Sequence, residues 1–164
     1  MALPTTLYGG VIIATNGITG PKYFRAGDSL MKPATVCTHD AANDEIKQCG
    51  TTDRPYGIIG CDSDHDLSTV YTVGDRVPVW LIGSGVEVWI LCGDADSVDI
   101  VKGSVMHTAD SSTYPGKITL YTYHQATTFT DINARYPINE FFVGLSQEMD
   151  TVTATIAKYL PVII

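Results

Sequence analysis

The sequence has few basic side chains, and they do not cluster. Ten Lys and Arg stand against 18 Asp and Glu, which gives a net charge of −8 over 164 residues. Lys22, Arg25, Arg76 and Lys117 are examples of cations scattered along the chain. A nucleic-acid-binding protein replaces phosphate counterions with grouped Lys and Arg. The composition therefore argues against a nucleic-acid partner.

Long apolar runs are also missing. The longest one near the N-terminus is Val11 to Ala14, and no positively charged segment precedes it. A membrane span needs about 20 apolar residues, and a signal peptide has a basic start and a longer apolar core. The sequence also has no lipidation motif at either end. We therefore expect synthesis in the cytoplasm and no membrane partner.

Metal-binding patterns are weak. The four cysteines, Cys37, Cys49, Cys61 and Cys92, form no C-x-x-C pair. Their number permits three disulfide pairings, but buried thiols are the default in a cytoplasmic chain. Cys37 and His39 could contribute two zinc ligands, and Cys49 or Cys61 could join them, but the spacing is unlike that of a zinc finger. We expect no cofactor and no metal.

The stretch "DSDHD" is the most site-like one in the chain. Asp62, Asp64 and Asp66 have the spacing of the first ligands of a calcium loop. Leu67 stands where such a loop needs its turn glycine, and Val73 where it needs a bidentate Glu. A solvated acidic loop is the favoured interpretation, with cation binding as the alternative.

Catalytic motifs are missing as well. The chain has no G-x-S-x-G, no phosphate-binding G-x-x-x-x-G-K-[ST] and no G-x-G-x-x-G. Ser84 lies in a G-S-G turn between two apolar runs, which is not the strand-to-helix turn of a nucleophile. We therefore predict that the protein is not an enzyme and assign no catalytic residue.

Turn-forming and strand-forming residues are what the sequence has in quantity. Gly and Pro total 23, and 14 Asp stand against only 4 Glu, a ratio that favours turns over helices. Short apolar runs alternate with turn signals every 8–12 residues, as in a sandwich or barrel. The best helical segment, 130–141, is interrupted by Pro137. We predict an all-β fold, a compact β-barrel-like domain with at most one or two short helices.

The segment "VGDRVPVWLIGSGVEVWILCGD" (73–94) contains both tryptophans. A two-residue turn at Ser84 and Gly85 predicts a hairpin in which Trp80 lies opposite Trp89. Two interpretations stay open for the tryptophan face, because both rings can be ordinary core or can contact a second subunit or partner.

Residues 1–22 differ from the rest and are predicted to form an extended N-terminal arm, with residues 23–164 as the barrel domain. A short apolar run lies between Gly9-Gly10 and Asn16-Gly17. Such a segment docks as a strand on a sheet edge of its own chain or of a neighbour, or else it is the first strand of the domain. The predicted arm contacts are Leu3, Tyr8, Val11, Ile12 and Ile13, and the tryptophan face of Trp80 and Trp89 is the next candidate surface.

The order of the elements resembles the head-decoration, or cement, proteins of tailed bacteriophages. The resemblance is carried by "AGDSL", "RPYGIIG", "VGDRVPVWLIGSGVEVWIL", "VKGSVMHTADS" and "FFVGLSQE" followed by "TVTATIAKYL". It implies a β-barrel or β-tulip-like domain that binds the outside of an assembled capsid, with the major capsid protein and further copies of itself, as a homotrimer, for partners. The expected location is the capsid surface of the virion, after synthesis in the host cytoplasm.

Two other functions stay open. A tail, spike or surface β module would bind a glycan or a receptor, and an aromatic ring lying open in a groove would favour it. A small metal-dependent barrel enzyme would need Cys37 and His39 to hold a metal.

Overall fold

The computed structural model describes residues 5–8, 11–14, 20–50, 53–93, 98–108, 116–120, 142–147, 150–152 and 158–164. Only the backbone is described for 5–8, 11–14 and 150–152, and for residues 98, 99, 105, 107, 119, 120, 142 and 158. All regular structure in these residues is β, and no helix occurs in them. The strands are β1 Thr5–Tyr8, β2 Val11–Ala14, β3 Lys22–Ala26, β4 Val36–Asp40, β5 Glu45–Gln48, β6 Gly57–Ile59, β7 Arg76–Leu81, β8 Glu87–Cys92, β9 Val98–Ile100, β10 Val105–Thr108, β11 Ile118–Leu120, β12 Phe142–Ser146, β13 Asp150–Val152 and β14 Lys158–Ile163.

Five strands close into a barrel in the order β3-β5-β4-β6-β7, with β7 returning to β3. Alternate residues of each strand point inwards, as the period of two requires. The inward side chains form a first core that includes Ala26, Ile46, Ile59, Val77 and Val79. The all-β fold with a barrel that the sequence predicts is thereby confirmed.

A second sheet of seven strands packs against the barrel in the order β1-β2-β8-β11-β10-β12-β14. β8 also pairs with β14 along its whole length. The pairings β8-β11-β10-β12-β14 therefore close back onto β8. A separate two-stranded ladder joins β9 and β13. The larger core draws residues from the outer face of the barrel and from this sheet, for example Val36, Ile58, Ile90 and Val162.

From Val77 to Trp80, strand β7 is buried on both faces. Val77 and Val79 point into the barrel, whereas Trp80 belongs to the core between the barrel and the second sheet. β7 pairs with β3 and β6, and β8 pairs with β14, β2 and β11.

The predicted hairpin of residues 73–94 is therefore wrong. The turn at 82–86 carries the chain from the barrel to the second sheet. It does not fold β8 back onto β7, because both strands are apolar on both faces and each finds other partners.

The N-terminal strands form a hairpin of their own. β1 and β2 pair from Thr5↔Ala14 to Tyr8↔Val11, and β2 meets β8 at the pair Ala14↔Glu87. β3, the first barrel strand, begins at Lys22. The division of the chain at residue 22 stays a prediction, and the helical candidate 130–141 lies outside the described residues. Within the described ranges, no helix has the length and apolar character needed to cross a membrane.

Candidate functional site

The predicted arm residues lie at one end of the second sheet. Tyr8 is the last residue of β1 and is paired with Val11, the first residue of β2, and Ile12 and Ile13 follow on β2. Leu3 lies outside the described residues. The structure thus brings four of the five predicted contacts into one hairpin, and their role in binding stays a prediction.

The two tryptophans are not brought together. Trp80 is only 7% exposed, and its ring packs in the larger core near Gly60. Trp89 is half-buried on β8, opposite Pro161 of β14. Trp80 therefore stabilises the join between barrel and sheet, and Trp89 alone of the two offers part of its ring to the surface.

The loop at 62–66 is held by its own hydrogen bonds. The Asp62 carboxylate accepts hydrogen bonds from the backbone N–H groups of Asp64 and His65, at 2.9 and 2.8 Å, and its Oδ1 lies 2.9 Å from His65 Nδ1. Burial would raise the pKa of Asp62, but these hydrogen bonds lower it below its usual value. Asp66 accepts hydrogen bonds from the hydroxyl and N–H of Ser68, which lower its pKa to about 2. These carboxylates are thus occupied with shaping the loop.

His65 joins this loop to the turn before β7. Its ring stacks on Tyr71 with centroids 4.0 Å apart, and its Nε2 lies 3.6 Å from Asp75 Oδ2. Tyr71 is fully buried and donates a hydrogen bond to the carbonyl of Gly60, and burial raises its pKa. The arrangement is a structural clamp, because each polar group already has a partner inside the fold.

Cys37 and His39 lie on β4 but make separate contacts. The Cys37 thiol is fully buried, where burial raises its pKa, and it donates to the Gly57 carbonyl at 3.4 Å. His39 stacks on Tyr56, and its Nε2 lies 3.1 Å from Asp44 Oδ1. In the part of the chain that the structure describes, no three His, Cys, Asp or Glu side chains gather as metal ligands. All four cysteines are described, each as a buried thiol.

The outer face of the barrel carries a feature that the sequence did not reveal. Arg25 of β3 and Arg76 of β7 are direct cross-strand partners, and Tyr23 is the partner of Pro78 one row further along. The Arg76 guanidinium lies 4.0 Å above the centre of the Tyr23 ring, and Tyr23 is 52% exposed. A cavity of about 320 Å³ lies beside these residues and is also lined by Phe24, Asp44, Gly74 and Asp75.

Two further surface features lie on the second sheet and its border. Leu145 of β12 and Ile163 of β14 are cross-strand partners and are 40% and 39% exposed. A cavity of about 670 Å³ between barrel and sheet is lined by Lys32, Lys117 and Tyr159 among others. Burial, together with the neighbouring Lys32, lowers the pKa of Lys117.

Sequence reasoning missed the arginine pair because the two residues belong to strands far apart in the chain. The signal that identifies the pair is the register of β3 against β7, and a single sequence does not contain that register. The open ring of Tyr23 does fit the criterion set for a glycan-binding module, and neither tryptophan does.

Comparison with models of known protein families finds no match, and comparison with curated proteins finds none either.

Proposed function

We propose that this chain is a virion structural protein that binds the outer surface of an assembled capsid and stabilises it. Its partners would be the major capsid protein and neighbouring copies of itself in a homotrimer, and its location would be the capsid surface. The proposal assigns no catalytic role to any residue. The observation that carries it is the N-terminal hairpin, which is joined to a rigid all-β body at the pair Ala14↔Glu87.

The hairpin has the geometry for strand addition. β1 is the end strand of the seven-stranded sheet, and its outer edge pairs with no strand of the described residues. An open edge offers a row of backbone N–H and C=O groups to a strand of another chain. The arm residues Tyr8, Val11, Ile12 and Ile13 all lie in this hairpin. A capsid protein that contributes one strand here would bind through backbone hydrogen bonds and apolar side chains.

The body is suited to resisting deformation. A closed barrel has no free edge of its own, and β7 is buried on both faces between the two cores. A protein that joins capsid subunits must transmit load between them without changing shape. Many copies on one shell would add their modest individual contacts by avidity.

The exposed pair Leu145 and Ile163 is the surface we assign to contact between copies. Both are apolar, they are adjacent across β12 and β14, and each is about two-fifths exposed. Trp89 lies on the neighbouring strand β8 and is half-buried. Aromatic residues are enriched in subunit interfaces, and the buried centres of such interfaces are more apolar than the rest of the surface.

The test uses capsid shells of the virus whose genome carries this sequence, prepared without the chain. We expect the full chain to sediment with the shells and to raise their melting temperature. A variant lacking residues 1–19 keeps β3 intact, since β3 begins at Lys22. It should bind at least tenfold more weakly, and a peptide of residues 1–19 added in excess should compete with the full chain.

Val73→Ser is the matched control, because Val73 is 61% exposed in the turn before β7 and lies outside the hairpin. Its binding should stay within twofold of the unmodified chain. Equal binding and equal heat resistance of the shells with and without residues 1–19 would show that the hairpin is not the contact. Failure of the full chain to bind at all would overturn the capsid function.

A second candidate function is a surface β module that binds a glycan. It is favoured by the position of Tyr23, whose half-exposed ring borders a cavity. Binding of any sugar at this cavity, lost in Tyr23→Ala, would support this function, and a chain that binds capsids and no sugar would exclude it.

A further inference from the structure

The two arginines beside Tyr23 are placed at an electrostatic cost. Arg25 and Arg76 are direct partners on antiparallel strands, with Tyr23 on the same outer face of the barrel. Like charges that face each other across two strands destabilise the sheet. Proteins break such local rules mainly where a site needs it. The pair therefore indicates a site for a negatively charged group.

The charged neighbours leave hydrogen-bonding capacity on both guanidinium groups. Arg25 Nε lies 3.6 Å from Glu45 Oε1, while 66% of the Arg25 side chain is exposed. Arg76 stacks on Tyr23, and no carboxylate oxygen of the described residues lies within 4.0 Å of its nitrogens. An arginine carries five N–H donors, all of which point outwards in the plane of the guanidinium group. Stacking that plane on an aromatic ring occupies none of these donors.

The acidic side chains that line the cavity are already occupied. Asp75 Oδ2 accepts hydrogen bonds from the N–H and the hydroxyl of Thr72 at 2.7 and 2.9 Å, and these bonds lower the pKa of Asp75. Asp44 Oδ1 lies 3.1 Å from His39 Nε2. Neither carboxylate is within ion-pair distance of Arg76, although Asp75 adjoins it in the chain. Both carboxylates stay ionised on the wall of the cavity, and among the described residues neither forms an ion pair with Arg76, which lies beside the Tyr23 ring.

Size and shape narrow the ligand class. A cavity of about 320 Å³ is at the lower end of small-molecule sites, which span roughly 300–1,000 Å³. One face of the Tyr23 ring is covered by Arg76, and the exposed remainder offers an apolar surface. A pyranose ring has one face of C–H groups that packs on such a surface, and a carboxylate accepts two parallel hydrogen bonds from a guanidinium.

We propose that the cavity bordered by Tyr23, Arg25 and Arg76 binds an acidic sugar, with the carboxylate on the in-plane N–H groups of the arginines and the sugar ring beside the exposed edge of the Tyr23 ring. The proposal rests on the second candidate function, since it names the kind of glycan that such a module would bind. It does not depend on capsid binding.

The experiment is a titration of the full chain followed by NMR chemical shifts, with D-glucuronate, D-glucose, acetate and a tetraglutamate peptide as separate probes. We expect D-glucuronate to bind at least tenfold more tightly than each of the other three. Arg76→Ala and Tyr23→Ala should each weaken glucuronate binding about tenfold. Arg76→Lys should recover little, because an ammonium group lacks the planar fork. Affinity should also fall as salt is added.

Lys102→Ala is the matched control, since Lys102 is an exposed cation in the turn before β10. Its affinity should change by less than twofold. All four variants alter exposed residues, so their folding can be verified by unchanged melting curves.

The possible failures are distinguishable. Equal binding of glucose and glucuronate would keep the glycan function and overturn the acidic-sugar inference. Acetate binding as tightly as glucuronate would show that the sugar ring is not recognised, which overturns the inference. Tighter binding of the tetraglutamate peptide would indicate a contact for an acidic protein segment, which also overturns it. Binding of neither sugar would overturn the inference, and the second candidate function would then be decided by the test against other sugars and capsids given above.

Discussion

Replacing Gly57 by Ala tests a close approach between two barrel strands, β6 and β7. Gly57 opens β6 and pairs with Leu81 of β7. A methyl group built on Gly57 would lie 2.7 Å from the carbonyl oxygen of Trp80, and it would come closer still to the Cγ1 atom of Val79. The obstructing oxygen belongs to the backbone, so a change of rotamer cannot relieve this contact.

The magnitude follows from the cost of overpacking. Adding a methyl to a filled core typically destabilises a protein by about 1–3 kcal/mol, and a backbone obstacle places Gly57→Ala at about 3 kcal/mol. In a chain of this size, 1 kcal/mol shifts the melting temperature by about 2–4 °C. The expected fall is therefore about 6–12 °C.

Thermal and urea unfolding, followed by tryptophan fluorescence, measure this change directly. Gly20→Ala is the control, because a methyl there would meet no atom within 4 Å, and its free energy of unfolding should change by less than about 0.5 kcal/mol. The double variant Gly57→Ala/Val79→Ala should be more stable than the sum of the single effects predicts, by at least about 0.5 kcal/mol. A Gly57→Ala variant that melts within 1 °C of the unmodified chain would show that β6 and β7 do not pack as described.

Three further predictions concern the tryptophans, the acidic loop and the thiols. Trp80→Ala should lower the free energy of unfolding in urea by about 3–5 kcal/mol and Trp89→Ala by about 1–2 kcal/mol, because only Trp80 is fully packed in the core. Equal losses would contradict the placement of Trp80 in the core and of Trp89 at the surface. The folded-state pKa of Asp66 is lowered from 3.8 to about 2, so its contribution to stability is present above pH 3.8 and is lost as the pH falls towards 2. Asp66→Asn should therefore show a smaller loss of melting temperature over that interval, and a loss as steep as that of the unmodified chain would rule out this role. Burial raises the pKa of Cys49 to about 12, and the other three thiols are also buried. A thiol reagent at pH 8 should therefore label the folded protein at least a hundredfold more slowly than the unfolded one. Rapid labelling before unfolding would show that the thiols are accessible.

Local patterns in the sequence were sufficient for fold class and for many strand positions. The alternating run "EIKQC" (Glu45 to Cys49) predicts a strand, and β5 covers Glu45–Gln48. The turn glycine Gly103 in "VKGSVMHT" predicts that a strand follows it, and β10 begins at Val105. The excess of Asp over Glu predicted turns and few helices, because Asp side chains bond to nearby backbone N–H groups in loops. Asp62 and Asp66 both accept hydrogen bonds from backbone N–H groups of their own loop.

Strand partners were not predictable in the same way. The turn at Ser84 predicted that β7 and β8 pair, yet β7 is paired with β3 and β6. Apolar residues on both faces of β7 and β8 fit a hairpin and a pair of separate sheets equally well, and the choice is made by strands distant in the sequence. The same limit hid the pairing of Arg25 with Arg76, because neither residue has an unusual local context.

The burial of β7 on both faces has a consequence for how the protein comes apart. This one strand is a wall common to the inside of the barrel and to the layer beneath the second sheet. Detaching β7 would expose both hydrophobic cores to water at the same time. The barrel therefore cannot open while the second sheet stays folded, and the reverse also holds. The amide protons of β7 should accordingly exchange with deuterium only through global unfolding, so the barrel and the second sheet should unfold as one cooperative unit.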